Sequence, residues 1–288
     1  MTKNITPVET QIICPDHYQL AASIFHPTTK VKGAVFIGPA TGIKRQFYAN
    51  FATYLAENGY GVITFDNRGI GESLKGCIKS SEATLQCWGE KDMPAVLEHL
   101  KNSFPDTRYH LIGHSAGGQL IGLMPNAKEL SSVFNFASSS GRLKNMTKSY
   151  LVKAHFFMNC FIPLTNTFFG HTKSQWVGMG EPLPKGVAQQ WREWCNGQGY
   201  VKTTFGKTVH QHLYDELSTP SMWVNATDDE IAIDANVVDM QSVFTKMKPE
   251  TMTLNPKDYD LDEIGHMKFF SKKSKILWPY AIEWLNKH

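Results

Sequence analysis

Gly33-Ala34-Val35-Phe36-Ile37-Gly38 is the segment that most limits what this chain can fold into. The run is too short for a buried helix, and no residue in it is suited to facing water. It fits a strand covered on both faces, as in a parallel sheet. Gly61-Val62-Ile63-Thr64-Phe65 repeats the pattern and stops at Asp66, and Tyr109-His110-Leu111-Ile112 repeats it again. Between these runs apolar residues recur at helical spacing: Phe47, Tyr48, Phe51, Tyr54 and Leu55, then Met93, Val96, Leu97 and Leu100. Alternation of this kind predicts parallel strands joined by crossover helices.

Further elements extend the pattern on both sides. Val8 to Cys14 and Gln19 to Phe25, with Pro15-Asp16-His17 between them, read as a leading antiparallel hairpin. Val133-Phe134-Asn135-Phe136, the run from Pro220 to Asn225, and Thr251 to Leu254 bring the strands to eight. A helix is expected from the nucleophile turn described below through Leu123, and another over Ala235 to Phe244. Leu277, Trp278, Ala281, Ile282 and Leu285 form a closing amphipathic helix, with Pro279 tolerable only in its first turn. The alternation breaks from about Gly141 to Gly206, where no regular strand is expected. That stretch holds Phe156, Phe157, Phe161, Phe168, Phe169, Trp176, Trp191 and Trp194. The predicted organisation is an α/β core over 1–140 and 207–288, interrupted by a mostly helical cap insertion over 141–206.

Composition narrows the function. The chain has 288 residues, 42% hydrophobic, enough for one large core with an insertion. Its net charge of +3 is spread along the chain, so no nucleic-acid footprint is expected. The five cysteines are odd in number and lack CxxC spacing, which reads as free thiols in a reducing compartment, without a metal site. Met1 to Thr6 lacks an apolar leader, and Tyr150 to Gly170 is interrupted by Lys153, His155, Asn159 and Asn166. A cytoplasmic protein with no stable membrane insertion is the expectation. Neither G-x-G-x-x-G in a strand–helix context nor a GK[ST] loop occurs, so no organic cofactor is predicted.

The chemistry centres on Gly113-His114-Ser115-Ala116-Gly117, which follows a predicted strand and opens a predicted helix. A serine on such a sharp turn is held in a strained backbone conformation that projects its hydroxyl above the sheet. Glycines two residues to either side leave room for the neighbouring strand and helix. A serine hydroxyl needs a base, and the base needs an orienting acid. Both follow in the required order. Asp228 and Asp229 stand at the end of the Pro220 strand, with Asp229 favoured as the acid; the other is expected to cap the next helix or face solvent. Of eleven histidines, only His266 follows the last strand, in Ile264-Gly265-His266-Met267. His114 is expected to point away from the nucleophile. Oxyanion donors are expected from the N–H of Ala116 and from the loop Gly38-Pro39-Ala40-Thr41-Gly42. Pro39 has no N–H, which leaves Ala40 or Thr41; registering the loop on Tyr48 favours Thr41.

These residues together resemble the α/β-hydrolase superfamily, and within it the serine-aminopeptidase-like and monoglyceride-lipase-like group. Asp66-Asn67-Arg68-Gly69-Ile70-Gly71-Glu72-Ser73 is similar to that group's D-x-R-G-x-G-x-S loop, and Gly113 to Gly118 to its elbow. The resemblance is nearest to a set of predicted bacterial α/β-hydrolases. It extends there to Gly180-Glu181-Pro182-Leu183-Pro184, to Gln190 through Cys195, and to Ile264 through Met267. Pro39-Ala40 departs from the group's His-Gly before the oxyanion residue. The resemblance implies an α/β-hydrolase fold with a mostly parallel eight-stranded sheet and a helical cap. It also implies a serine hydrolase with catalytic Ser115, His266 and Asp229. A fold shared by many chemistries implies little about substrate.

The expected reaction is cleavage of an ester or related acyl bond of a small, apolar substrate, of the carboxylesterase or lipase type. An aminopeptidase-like amide hydrolase is the alternative, and it would need an acidic anchor such as Glu181 or Glu193. A non-catalytic receptor for a small ligand is the second. The cap aromatics line an acyl pocket or form the cap's own core, and Phe156-Phe157 with Phe168-Phe169 could form an interfacial patch.

Overall fold

A computed structural model describes residues 5–288. Strands β1 (Val8–Ile13) and β2 (Gln19–Phe25) form the antiparallel hairpin, and β2 lies antiparallel to β4. Then follow β3 (Gly33–Gly38), α1 (Ala49–Glu57), β4 (Tyr60–Phe65), the single turn α2 (Leu85–Cys87), α3 (Met93–Ser103), β5 (Tyr109–His114), α4 (Ala116–Gln119) and β6 (Ser132–Phe136). The next segment holds α5 (Lys148–Phe156), α6 (Ile162–Phe169), β7 (His171–Thr172), β8 (Leu183–Pro184) and α7 (Lys185–Asn196). The chain returns to the sheet with β9 (Ser221–Ala226), α8 (Asp234–Gln241), β10 (Pro249–Leu254) and α9 (Pro279–Lys287).

The large sheet has eight strands in the order β1-β2-β4-β3-β5-β6-β9-β10, parallel from β4 to β10. β3, β4, β6 and β9 are buried along their whole length, as their unbroken apolar character requires. From β3 the chain crosses first to β4 on one side and then to β5 on the other. Such a reversal leaves a crevice beyond the carboxyl ends of β3 and β5. The loop with Ala40 and Thr41 leaves β3 at that crevice, and Ser115 leaves β5. Phe51 of α1 packs edge-on against Phe136, Phe270 and Trp278, which fastens the last helix to the same core.

Two expectations need correction. The helix after Ser115 ends at Gln119 and gives way to a short 3-10 turn at Ile121–Leu123. The Tyr214 ring lies where a Gly122 side chain would stand, and its hydroxyl donates to the Gln119 carbonyl, so the chain turns there. The segment after β6 is not purely helical either, because His171–Thr172 and Leu183–Pro184 pair as a two-residue antiparallel ladder. Pro279 stands at the first turn of α9, where its missing N–H costs nothing. Among the described residues no helix is long and apolar enough to cross a membrane.

Candidate active site

The elbow is built by close backbone packing. Ser115 adopts φ 49°, ψ −111°, a region that non-glycine residues occupy only when their surroundings enforce it. Its backbone hydrogen bonds do so here. Ser115 N–H donates to the Phe136 carbonyl (3.0 Å), and its own carbonyl accepts from Ser138 Oγ (3.0 Å) and Gly118 N–H (3.1 Å). A Cβ on Gly113 would lie 2.5 Å from the Gly118 backbone, and one on Gly117 would overlap the Gly38 carbonyl. The glycines thus let β5, α4 and β3 converge behind the serine.

Ser115 Oγ lies 3.1 Å from Nε2 of His266, and His266 Nδ1 lies 2.8 Å from Oδ2 of Asp229. A carboxylate only accepts, so Nδ1 carries the proton and the Nε2 lone pair faces the serine hydroxyl. Asp229 is buried, and its Oδ1 accepts from Ile231 N–H (2.8 Å) and Ala232 N–H (2.9 Å). Burial opposes ionisation of this carboxyl. The adjoining His266 and the two amides outweigh burial and hold its pKa below the ordinary value.

The neighbouring carboxylate does something the sequence did not foretell. Asp228 is exposed, as one of its two expected placements had it, and it also accepts the N–H groups of Ile264 (2.9 Å) and Gly265 (3.0 Å). Ala40 needs correction. Its N–H donates to Tyr48 Oη at 2.9 Å and is not available to an oxyanion. Among the described residues the N–H groups of Thr41 and Ala116 have no partner, and both residues lie at the crevice beside Ser115.

A cavity of about 570 Å³ opens over Ser115 and His266. Its walls are mostly apolar, with Leu143, Met146, Met158, Met179, Trp191 and Ile231 among them. These are scattered through 141–231, and no local pattern in the sequence marks them as neighbours. Of the eight cap aromatics named above, Phe156, Phe157 and Trp191 reach the cavity, as does Tyr150. Trp194 is core, whereas Phe168 and Trp176 are 75% and 61% exposed. Cys195 is buried and also reaches the cavity; burial pushes its thiol pKa well up, so it stays protonated. Glu181 pairs instead with Lys44 Nζ (2.8 Å), and neither Glu181 nor Glu193 lines the cavity.

The Asp66–Ser73 motif has a structural role. The buried Asp66 carboxylate accepts from Arg45 Nη1 (2.7 Å) and from the N–H groups of Arg45 and Glu72. Arg68 is clamped between Asp92 and Asp16, with its guanidinium 4.7 Å from the Tyr18 ring centre. Buried charges held in this way fix loop geometry and make no contact with the cavity.

Sheet order, crevice and nucleophile elbow define an α/β-hydrolase. Residues 29–177 match the family described as serine aminopeptidase, S33, and the chain belongs to it. It superposes on a soluble variant of monoglyceride lipase from Saccharomyces cerevisiae with a TM-score of 0.68 at 15% identity, covering 100% of this chain and 97% of that one. An esterase of Pyrococcus furiosus gives 0.63 at 15% identity, covering 98% and 91%. In sequence, 97 residues are 27% identical to protein phosphatase methylesterase 1 of Candida albicans, which is 34% of this chain and 26% of that protein. The chain therefore matches about a quarter of the length of that relative.

Proposed function

We propose that the protein is a serine hydrolase that cleaves an ester or related acyl bond of a small apolar substrate. The observation that carries this reading is the hydrogen-bonded series Ser115–His266–Asp229 at the floor of an apolar cavity. In the proposed reaction His266 Nε2 takes the Ser115 proton as Oγ attacks the acyl carbon. The N–H groups of Ala116 and Thr41 hold the oxyanion, and Asp229 stabilises the imidazolium. The same proton passes to the leaving alcohol as the acyl–oxygen bond breaks. Water then attacks the acyl carbon as it gives a proton to His266; the acyl–Oγ bond breaks, and His266 returns the proton to Ser115 Oγ as the acid leaves.

The family's name raises the trimming of N-terminal residues from peptides. Against it, a substrate ammonium would find no carboxylate among the described residues lining the cavity, and Lys153 stands among them. The esterase and lipase neighbours support the acyl reading. Five free cysteines suit a reducing, cytoplasmic setting. A panel of p-nitrophenyl esters of rising acyl length, run beside aminoacyl anilides, tests the proposal. Esters should turn over well above the anilides, and Ser115→Ala should lower the rate by about 10³-fold or more. Undiminished activity in Ser115→Ala would refute the mechanism.

A further inference from the structure

Three loops of the site converge on one buried imidazole. His114 closes β5 directly before Ser115, and its ring is fully buried beside Phe47, Tyr48 and Phe270. Both of its nitrogens are engaged. Nδ1 lies 2.9 Å from Tyr48 Oη, and Nε2 lies 2.9 Å from the backbone carbonyl of His266. Tyr48 Oη also receives the Ala40 N–H at 2.9 Å.

The direction of this chain follows from its ends. An amide N–H can only donate, and a carbonyl can only accept. Ala40 therefore donates to Tyr48, and the Tyr48 proton points to His114 Nδ1. His114 then carries its proton on Nε2 and donates it to the His266 carbonyl. A protonated ring would present two donors and leave the Tyr48 hydroxyl proton without its acceptor. Burial pushes the His114 pKa down to about 3, which keeps the ring neutral.

We infer that Tyr48 and His114 are positioning residues for the hydrolysis proposed above, joining the oxyanion loop, the nucleophile strand and the backbone of the base through one directed hydrogen-bond chain. The inference rests on that reading of the site. Pinning Ala40 to Tyr48 leaves the next amide, that of Thr41, as the free donor of the loop. Pinning the His266 carbonyl fixes the backbone from which the catalytic ring projects. Without the Tyr48 hydroxyl, His114 Nδ1 is left unpartnered in the core and the Ala40 N–H loses its acceptor. The ring then rests on the His266 carbonyl alone, and the oxyanion loop and the backbone of the base are no longer tied together.

The experiment compares wild type with Tyr48→Phe and Tyr60→Phe. Tyr60 is a control: its hydroxyl donates to Asn286 Oδ1 (2.8 Å) and touches no part of the site. The readouts are kcat and KM for p-nitrophenyl butyrate, the rate of labelling by a fluorophosphonate, and histidine ¹⁵N spectra. For Tyr48→Phe, kcat and labelling should both fall about tenfold with KM within about twofold, because a small misplacement of reacting groups acts on chemistry more than on binding. His114 should keep its Nε2–H form while the ¹⁵N signal of its unpartnered Nδ1 shifts, and Tyr60→Phe should match wild type. Tyr48→Phe at wild-type kcat and labelling, or an equal loss in Tyr60→Phe, would overturn the inference alone. No labelling of wild type would remove the serine-hydrolase reading and this inference with it.

Discussion

Asp228 and Asp229, adjacent in the chain, hold one loop in two different ways. The Asp228 carboxylate takes the backbone N–H groups of Ile264 and Gly265 at 2.9 and 3.0 Å, and Asp229 takes the Nδ1–H of His266 at 2.8 Å. One residue places the loop and the other orients the ring it carries. The pair follows the end of β9, and a turn closed by Asp229 N–H on the Ala226 carbonyl (3.1 Å) brings both carboxylates to the same loop.

This division of labour predicts unequal costs. Asp229→Asn puts an amide where an anion is needed and disturbs the His266 tautomer, so kcat should fall by about 10⁴-fold. Asp228→Asn keeps the shape but turns one of the two accepting oxygens into an NH2 donor, so one loop N–H loses its partner, and kcat should fall only about tenfold, with a lower melting temperature. Steady-state kinetics and thermal melts of both variants check this. Equal kinetic loss in the two would mean that the assignment of the acid is wrong.

The central strands were legible because burial on both faces leaves an unbroken apolar run, as in Gly33–Gly38. The order Ser115, Asp229, His266 was legible because each residue follows a strand end. What could not be read depends on contacts across long separations. Tyr48 reaches His114 over 66 positions, and His114 reaches the His266 carbonyl over 152. Both residues look like core aromatics in sequence, and only the fold reveals that their polar atoms are paired. The Asp66–Ser73 motif misleads in the opposite direction. Its charged residues invite a functional reading, and they pair instead with Arg45, Asp92 and Asp16.

The contact between Gly117 and Gly38 gives a second prediction. A methyl group on Gly117 would overlap the Gly38 carbonyl, and both partners are backbone, so neither can swing away. Gly117→Ala should destabilise the protein by about 2–3 kcal/mol and abolish turnover. Gly76 is the comparison. It has a positive φ of 65°, and a methyl group added there would meet nothing within 4 Å. Gly76→Ala should therefore cost only about 1 kcal/mol, from the left-handed backbone alone, with full turnover. Denaturant unfolding of both separates backbone strain from steric overlap; similar losses would refute the steric account.

His110 predicts how stability responds to pH. It is buried in β5, and its Nδ1 lies 2.9 Å from Ser132 Oγ. Burial first, then the charges of Arg108 and His288, push its pKa from 6.5 down to about 4. The unfolded chain therefore binds a proton that the folded protein refuses between those two values. The stability this ring contributes is present above pH 6.5 and is lost as pH falls towards 4. The loss runs at up to about 1.4 kcal/mol per pH unit. His110→Gln has no such group, so its stability relative to wild type should improve steadily from about pH 7 to about pH 4.5. Urea unfolding at half-unit pH steps measures the gap, and a gap independent of pH would show that His110 does not titrate in this way.

Trp191 and Phe157 form part of the cavity wall. Their rings meet edge-to-face with centroids 5.6 Å apart, and both line the wall over Ser115. On the proposed acyl-ester reading, a chain attached at Ser115 would fill that space by apolar contact, each buried methylene contributing about 0.8 kcal/mol until a wall stops it. Specificity, kcat/KM, should therefore rise with acyl length and then break off. Trp191→Ala removes the indole from the wall and opens room for further methylenes. Its break point should move to longer chains by roughly two to four carbons, while short esters, which never reach the indole, keep their rates within about threefold. The same p-nitrophenyl series used on wild type reads both quantities. A uniform loss across all lengths with an unmoved break point would mean that Trp191 supports the cap without bounding the acyl site.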